Sequence, residues 1–170
     1  AEDGDTLGMQ GGRIFFYDDG ENWWSRGGDI SNTPMGDPCG PDSEVIYDFG
    51  EETHDEKKWG KPHPANDSGR FMEIGNQVFM EYKRTEGGFE PLPNKNVDFG
   101  AGLERITAAS INSQDVFKIS LLWPIIEELE KMSGKTYQEH TESMRVIADH
   151  MRAATFLGVD GVRPSNSQQG

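Results

Sequence analysis

The residues with the clearest chemical potential lie in Val97-Asp98-Phe99-Gly100-Ala101-Gly102-Leu103-Glu104-Arg105-Ile106. Gly100 and Gly102 are two apart on a strand, so they share one face. Lacking side chains, they leave room for a flat ligand against the backbone. Asp98 shares that face in period two and offers an anion beside the ligand, suited to an ammonium group. Glu104 and Arg105 fall in the first turn of the helix that follows. An arginine there reaches a polyphosphate and stabilises charge that develops on it. The competing reading is a glycine-rich junction whose arginine pairs with a surface acid. A bare Gly-x-Gly favours that second reading; the ordered Asp-x-Gly-x-Gly-x-Glu-Arg favours the first.

The surrounding pattern predicts what must hold these residues in place. Residues 13–18 read as a strand with a turn at Asp18-Asp19-Gly20, and 25–43 as a long Gly/Pro/Asp-rich loop. Residues 44–49 alternate polar and apolar, as a half-buried strand does. Residues 50–69 are charged, broken by Pro62, Pro64 and Gly69, and read as an exposed excursion. Phe71–Lys83 predicts a long strand with a bulge or close approach at Gly75. Thr85-Glu86-Gly87-Gly88 turns the chain, and a short strand over 97–102 runs into a helix from about Leu103 to Ile111. From Ser113 the apolar residues recur at helical spacing. Pro124 implies a kink or two abutting helices, and Gly134 a stop. A last helix is capped by Thr141, carries a core stripe of Met144, Ile147, Ala148 and Met151 on one face and ends at Gly158. Strands first and helices after make the fold class α+β, an antiparallel sheet followed by a helical extension.

Composition narrows the function. The chain has 170 residues and a formal net charge of −14. Residues 1–112 hold 10 Lys or Arg against 22 Asp or Glu, and residues 113–170 hold 6 against 8. A phosphate-binding surface needs local positive charge, so nucleic acid is disfavoured most strongly for the first two thirds. Cys39 is the one cysteine, which excludes an intrachain disulfide and a thiolate zinc cage. No apolar run reaches the roughly 20 residues of a membrane helix, and no secretion pattern opens the chain. The expectation is a soluble cytoplasmic protein, no membrane partner, and a piece of a longer chain.

Other reactive side chains read as structural. His54 and His63 have no partner at ligand spacing and read as surface; His150 reads as helix packing and His140 as without a role. Cys39 has no histidine in a nucleophile arrangement. Arg145 and Arg152 pair with Glu142 and Asp149 on their own helix in preference to facing nucleic acid.

The 97–106 stretch resembles motif 3 of the class II aminoacyl-tRNA synthetases, and Asp98, where many members have Gly, is similar to the alanyl-tRNA synthetases. Four further segments agree in order. They are Asn22-Trp23-Trp24 with Gly36-Asp37-Pro38-Cys39-Gly40-Pro41 through Asp48; Glu73 to Tyr82; Arg145 to Phe156, which carries Ile147-Ala148-Asp149-His150; and Pro164-Ser165-Asn166. The departures are Gly75 in place of Trp, Asp42 in place of a second Cys, and a longer Ser25–Pro34 spacing. Nothing before residue 13 resembles motif 1 or motif 2, and the editing domain is missing too. The resemblance implies the second half of a catalytic domain over 1–112 and the start of a helical tRNA-recognition region over 113–170.

It also implies roles. Asp98 would bind the amino group of alanine; Asn76, Trp24 and Val78 would shape its pocket. Gly100 and Gly102 would floor the adenylate site, and Arg105 would contact the outer phosphates of ATP as the catalytic residue. Glu44 is a weaker candidate for a magnesium ligand, about equally well read as a solvent-facing acid. The implied activity is activation of alanine with ATP and Mg2+ and its transfer to tRNA(Ala) by the parent protein, with the fragment alone inactive. The alternatives are a truncated module that holds alanine or alanyl-adenylate without ligation, and a structural domain without ligand.

Overall fold

The computed structural model describes residues 4–167, which divide into two units at the junction of Gln114 and Asp115. In the first, a short helical segment α1 (Gly4–Gly11), kinked at Gly8, precedes a four-stranded antiparallel sheet in the order β1 (Trp23–Trp24), β2 (Pro38–Asp48), β3 (Phe71–Thr85), β4 (Gly88–Ala101). A four-residue helix α2 (Glu56–Trp59) lies in the β2–β3 connection, and helix α3 (Leu103–Ser110) leaves the end of β4. The expected α+β order is the one observed.

The hairpin of β3 and β4 is the longest element pair. The chain reverses through Glu86-Gly87, with Thr85 paired to Gly88. Gly88 takes φ 122°, a conformation that costs glycine little and other residues much. The short strand expected over 97–102 is the last part of β4, which ends at Ala101. Gly75 meets both halves of its expectation. The β2–β3 register shifts between Val45 and Ile46, next to it. A Cβ at Gly75 would also lie 3.0 Å from the Phe99 ring.

Two expected boundaries move. Residues 13–18 hold only an isolated bridge at Ile14. The Tyr17 N–H donates to the side chain of Asn22, at Oδ1, at 3.2 Å in place of a strand partner. The 25–43 loop is shorter than expected, because β2 begins at Pro38 and its register with β3 shifts between Cys39 and Asp42. That bulge absorbs Gly40 and Pro41, the residues that make the segment read as a loop.

The end of β2 is pinned by a bidentate pair. Arg70 is only 6% exposed, and its Nε and Nη2 donate to Asp48 Oδ1 and Oδ2 at 2.6 and 2.8 Å. The hydrogen bond from Arg70 holds the Asp48 carboxyl below the usual range. Asp48→Asn leaves the guanidinium buried beside a neutral amide. The expected loss is about 2–3 kcal/mol at pH 7, below the full cost of breaking a buried pair because Asp48 itself is partly exposed. A depressed carboxyl pKa stabilises above the unfolded value and loses that as pH falls through the folded one. The mutational loss should therefore shrink below pH 4, as urea unfolding at pH 7 and pH 3 would measure.

In the second unit α4 (Trp123–Ser133) and α5 (Thr141–Val159) pack around Ile126, Tyr137, Met144 and Ala148. Pro124 opens α4 within its first turn and kinks nothing; residues 116–118 form a separate 3-10 turn. Gly134 closes α4 with φ 67°, as expected. Thr141 is the first helical residue of α5, not its cap, and its hydroxyl donates to the Tyr137 carbonyl. The helix passes Gly158 and ends at Val159. Only part of the core stripe is buried: Met144 and Ala148 are inside, while Ile147 and Met151 are exposed. His150 is also exposed and so packs no helix; its Nδ1 lies 3.6 Å from Asp149. Arg145 pairs with Asp115 at 3.0 Å and donates to Tyr137 Oη at 2.8 Å, in place of either acid on its own helix. Arg152 does reach Asp149, at 3.8 Å. Among the described residues no helix is long and apolar enough to cross a membrane.

Candidate functional site

The register of the three long strands arranges the sequence-derived residues in two rows. Glu44 pairs with Asn76, and Asn76 with Gly100. One step along, Asp42 pairs with Val78, and Val78 with Asp98. Directly paired residues point to the same side of a sheet, and side chains alternate along each strand. The six therefore share one face. Gly75, Gln77, Val97 and Phe99 lie on the other.

A cleft of about 550 Å³ opens on the first face. Trp24, Glu44, Asn76, Gly100 and Gly102 all line it. A Cβ at Gly100 would meet nothing within 4 Å, so the backbone there borders open space. Val78 is buried, at 5% exposure, between the two aspartates of the second row. Asp98 is exposed, and its Oδ1 accepts from the Phe99 N–H at 2.9 Å, which fixes the turn of the carboxylate. Trp23 stacks on Tyr82 and meets the edge of Phe89, so the short β1 is held by aromatic contacts as well as by its pairing to β2.

Arg105 stands off the cleft wall. It sits in the first turn of α3, and its Nη1 contacts Glu73 Oε2 at 2.8 Å and the Glu73 carbonyl at 3.2 Å. Glu73 does line the cleft, with Glu21, Asp29, Asp42 and Glu44. This acidic lining is the part of the site the sequence reading missed. Asp42 and Glu44 are two apart, the spacing that puts both on one strand face, but the strand start was masked by Pro38, Gly40 and Pro41. A larger adjoining hollow of about 820 Å³ shares Glu21, Asp42 and Glu44 but contains none of Trp24, Asn76, Gly100 or Gly102.

The lining acts on Glu44. Partial desolvation, then the charges of Glu73, Asp42 and Glu21, push its carboxyl up to about 7, against a smaller opposing pull from Arg105. A pKa raised on folding gives stability that is full below the unfolded value near 4.5 and lost as pH rises through 7. Ionised Glu44 thus destabilises the fold at pH 8, by about 1 kcal/mol once the screening of a solvent-exposed acid is allowed for. Glu44→Gln should be neutral in urea unfolding at pH 4.5 and stabilising by that amount at pH 8. Among the described residues no three His, Cys, Asp or Glu side chains converge as a metal cage. A magnesium ion carried by phosphates needs only one or two carboxylates, a demand that the Glu44 surroundings fit. Cys39 is fully buried, and desolvation raises its thiol pKa, which suits packing and not nucleophilic chemistry.

The profile of the family "tRNA synthetases class II (A)" matches residues 5–170. The chain belongs to this family. Among its relatives is the alanine–tRNA ligase of Fusobacterium nucleatum, 44% identical over 162 residues, which cover 93% of this chain and 18% of that protein. The alanine–tRNA ligase of Idiomarina loihiensis is 42% identical over 169 residues, 96% of this chain and 18% of its own length. That of Desulfosudis oleivorans is 42% identical over 174 residues, again 18% of the relative. The chain thus spans under a fifth of the length of the curated relatives it matches. Within a class II synthetase domain, the segment at hand supplies an antiparallel sheet face, a cleft upon it and an arginine at the head of the helix beyond.

Proposed function

We propose that this chain is the alanine-binding half of the catalytic site of an alanine–tRNA ligase. The observation that carries the reading is the cleft of two cross-strand rows, with Trp24, Asn76 and Gly100 on its walls and Asp98 beside Val78 in the next row. In the parent protein Asp98 binds the alanine ammonium by a charge-assisted hydrogen bond. Asn76, Trp24 and Val78 shape a pocket for a single methyl group. Gly100 and Gly102 let the planar adenylate lie close to the backbone. Arg105 exchanges its contact with Glu73 for the outer phosphates of ATP, and Glu44 is the residue to hold Mg2+, which supplies charge neutralisation for phosphate. Attack of the alanine carboxylate on the α-phosphate is mainly a matter of positioning and charge, the two things these residues offer.

On this reading residues 1–112 are the second half of the catalytic domain and 113–170 begin the region that meets tRNA(Ala). The parent protein works in translation in the cytoplasm, and the chain alone does not ligate. Alanine-dependent ATP–pyrophosphate exchange by the full-length protein carrying this segment tests the reading. Activity with alanine, weaker but measurable activity with serine and glycine, and none with larger amino acids is expected. A pocket built on size cannot strongly reject one added hydroxyl or one missing methyl. Exchange driven by a larger amino acid and not by alanine would contradict it. A second reading, a module that holds alanyl-adenylate without ligation, fits the same cleft and predicts binding without exchange in the full-length protein.

A further inference from the structure

Asp42 and Asn76 are diagonal neighbours on the cleft face, on β2 and β3, and Asn76 Nδ2 donates to Asp42 Oδ2 at 2.8 Å. Only the amide nitrogen makes this bond, because a carboxylate has no proton to give an amide oxygen. The bond therefore decides which way the Asn76 carboxamide is turned. The remaining oxygens, Asp42 Oδ1 and Asn76 Oδ1, are both buried and both lack a hydrogen-bond partner. Two buried acceptors left without a donor are costly, and both residues line the cleft. A ligand that brings donors removes that cost. A ligand that brings an acceptor, or an apolar atom, does not.

We propose that Asp42 is a positioning residue for the substrate amine: it locks Asn76 with its amide oxygen free to accept, so that the cleft takes a cationic amine in preference to an amine-free group. The inference rests on the alanine-site reading and deepens it. Asp98 supplies the opposite charge; Asp42, acting through Asn76, supplies the orientation of a second acceptor. Asp42→Asn keeps the size of the side chain but breaks the lock. A carboxamide at position 42 offers both a donor and an acceptor, so Asn76 can turn either way.

The test uses the full-length protein carrying this segment and two non-hydrolysable probes, alanyl-sulfamoyl adenosine and its propanoyl counterpart without the amine. The unsubstituted protein should prefer the amino compound by on the order of a hundredfold. Asp42→Asn should shrink that preference about tenfold while the affinity for the propanoyl compound stays the same, which also reports an intact cleft. An unchanged preference, or equal weakening of both probes, overturns the role of Asp42. Asp98→Ala run alongside separates the two layers. If it loses the amine preference and Asp42→Asn keeps it, only the Asp42 inference falls. If Asp98→Ala itself keeps the preference, the alanine-site reading falls and the inference with it.

Discussion

Asp98→Ala should raise the KM for alanine by about a hundredfold in ATP–pyrophosphate exchange by the full-length protein, with the KM for ATP unchanged. A hydrogen bond to a charged group contributes about 1.5–3 kcal/mol, and each 1.4 kcal/mol is tenfold. Asp98 is suited to the role by two features. Its cross-strand partner is Val78, so its side chain rises beside the row of Glu44, Asn76 and Gly100. Its Oδ1 is held by the Phe99 N–H, so the carboxylate is set before a ligand arrives. Because Asp98 is exposed, its removal should change stability by no more than about 0.5 kcal/mol. A loss confined to alanine, in a stably folded protein, is the signature of a lost ammonium anchor. An unchanged KM for alanine would count against that anchor.

Gly40→Ala should be the most damaging small change to the fold itself. Gly40 is buried where β2 bulges against β3 and pairs with Trp24 of β1. A Cβ there would lie 1.9 Å from the Phe79 carbonyl oxygen and 3.1 Å from the Glu81 nitrogen. Both are backbone atoms of β3, so no side-chain rotation relieves the clash, and the strands must part. The expected loss is about 4 kcal/mol or more, in the range reserved for strain at special backbone positions. For a chain of this size that lowers the Tm by roughly 8–16 °C. Gly100→Ala is the matched control. Its Cβ meets nothing within 4 Å, so stability should hold within about 0.5 kcal/mol while the methyl group intrudes on the cleft. Thermal unfolding of both variants decides the point; equal Tm values would refute the close-approach argument at Gly40.

The parts of the fold legible in the sequence are those set by local rules. Thr85-Glu86-Gly87-Gly88 announces a hairpin, Gly134 a helix stop, and the Gly100/Gly102 alternation a strand running into α3. Each needs only neighbouring residues. The start of β2 was hidden because Pro38, Gly40 and Pro41 look like a loop unless β3 is known to take up their bulge. Residues 13–18 read as a strand from their apolar and aromatic content but form none among the described residues, beyond a bridge at Ile14. Arg145 had two acids on its own helix, yet it pairs with Asp115, thirty residues earlier, through a shared contact with Tyr137. Ile147 and Met151 follow the helical period but fall on the side of α5 away from Ile126 and Tyr137. Of the cleft, Trp24, Glu44, Asn76, Gly100 and Gly102 were marked in the sequence. Asp42 and Glu73 become part of it only through the pairing of β2 with β3.

The most direct test of the central claim, that this segment carries the alanine half of the site, is calorimetric titration of the 170-residue chain with a non-hydrolysable alanyl-adenylate analogue, with Asp98→Ala alongside. Saturable binding that Asp98→Ala abolishes is the result expected. A folded chain that shows no binding, or binding that Asp98→Ala leaves intact, would contradict the claim.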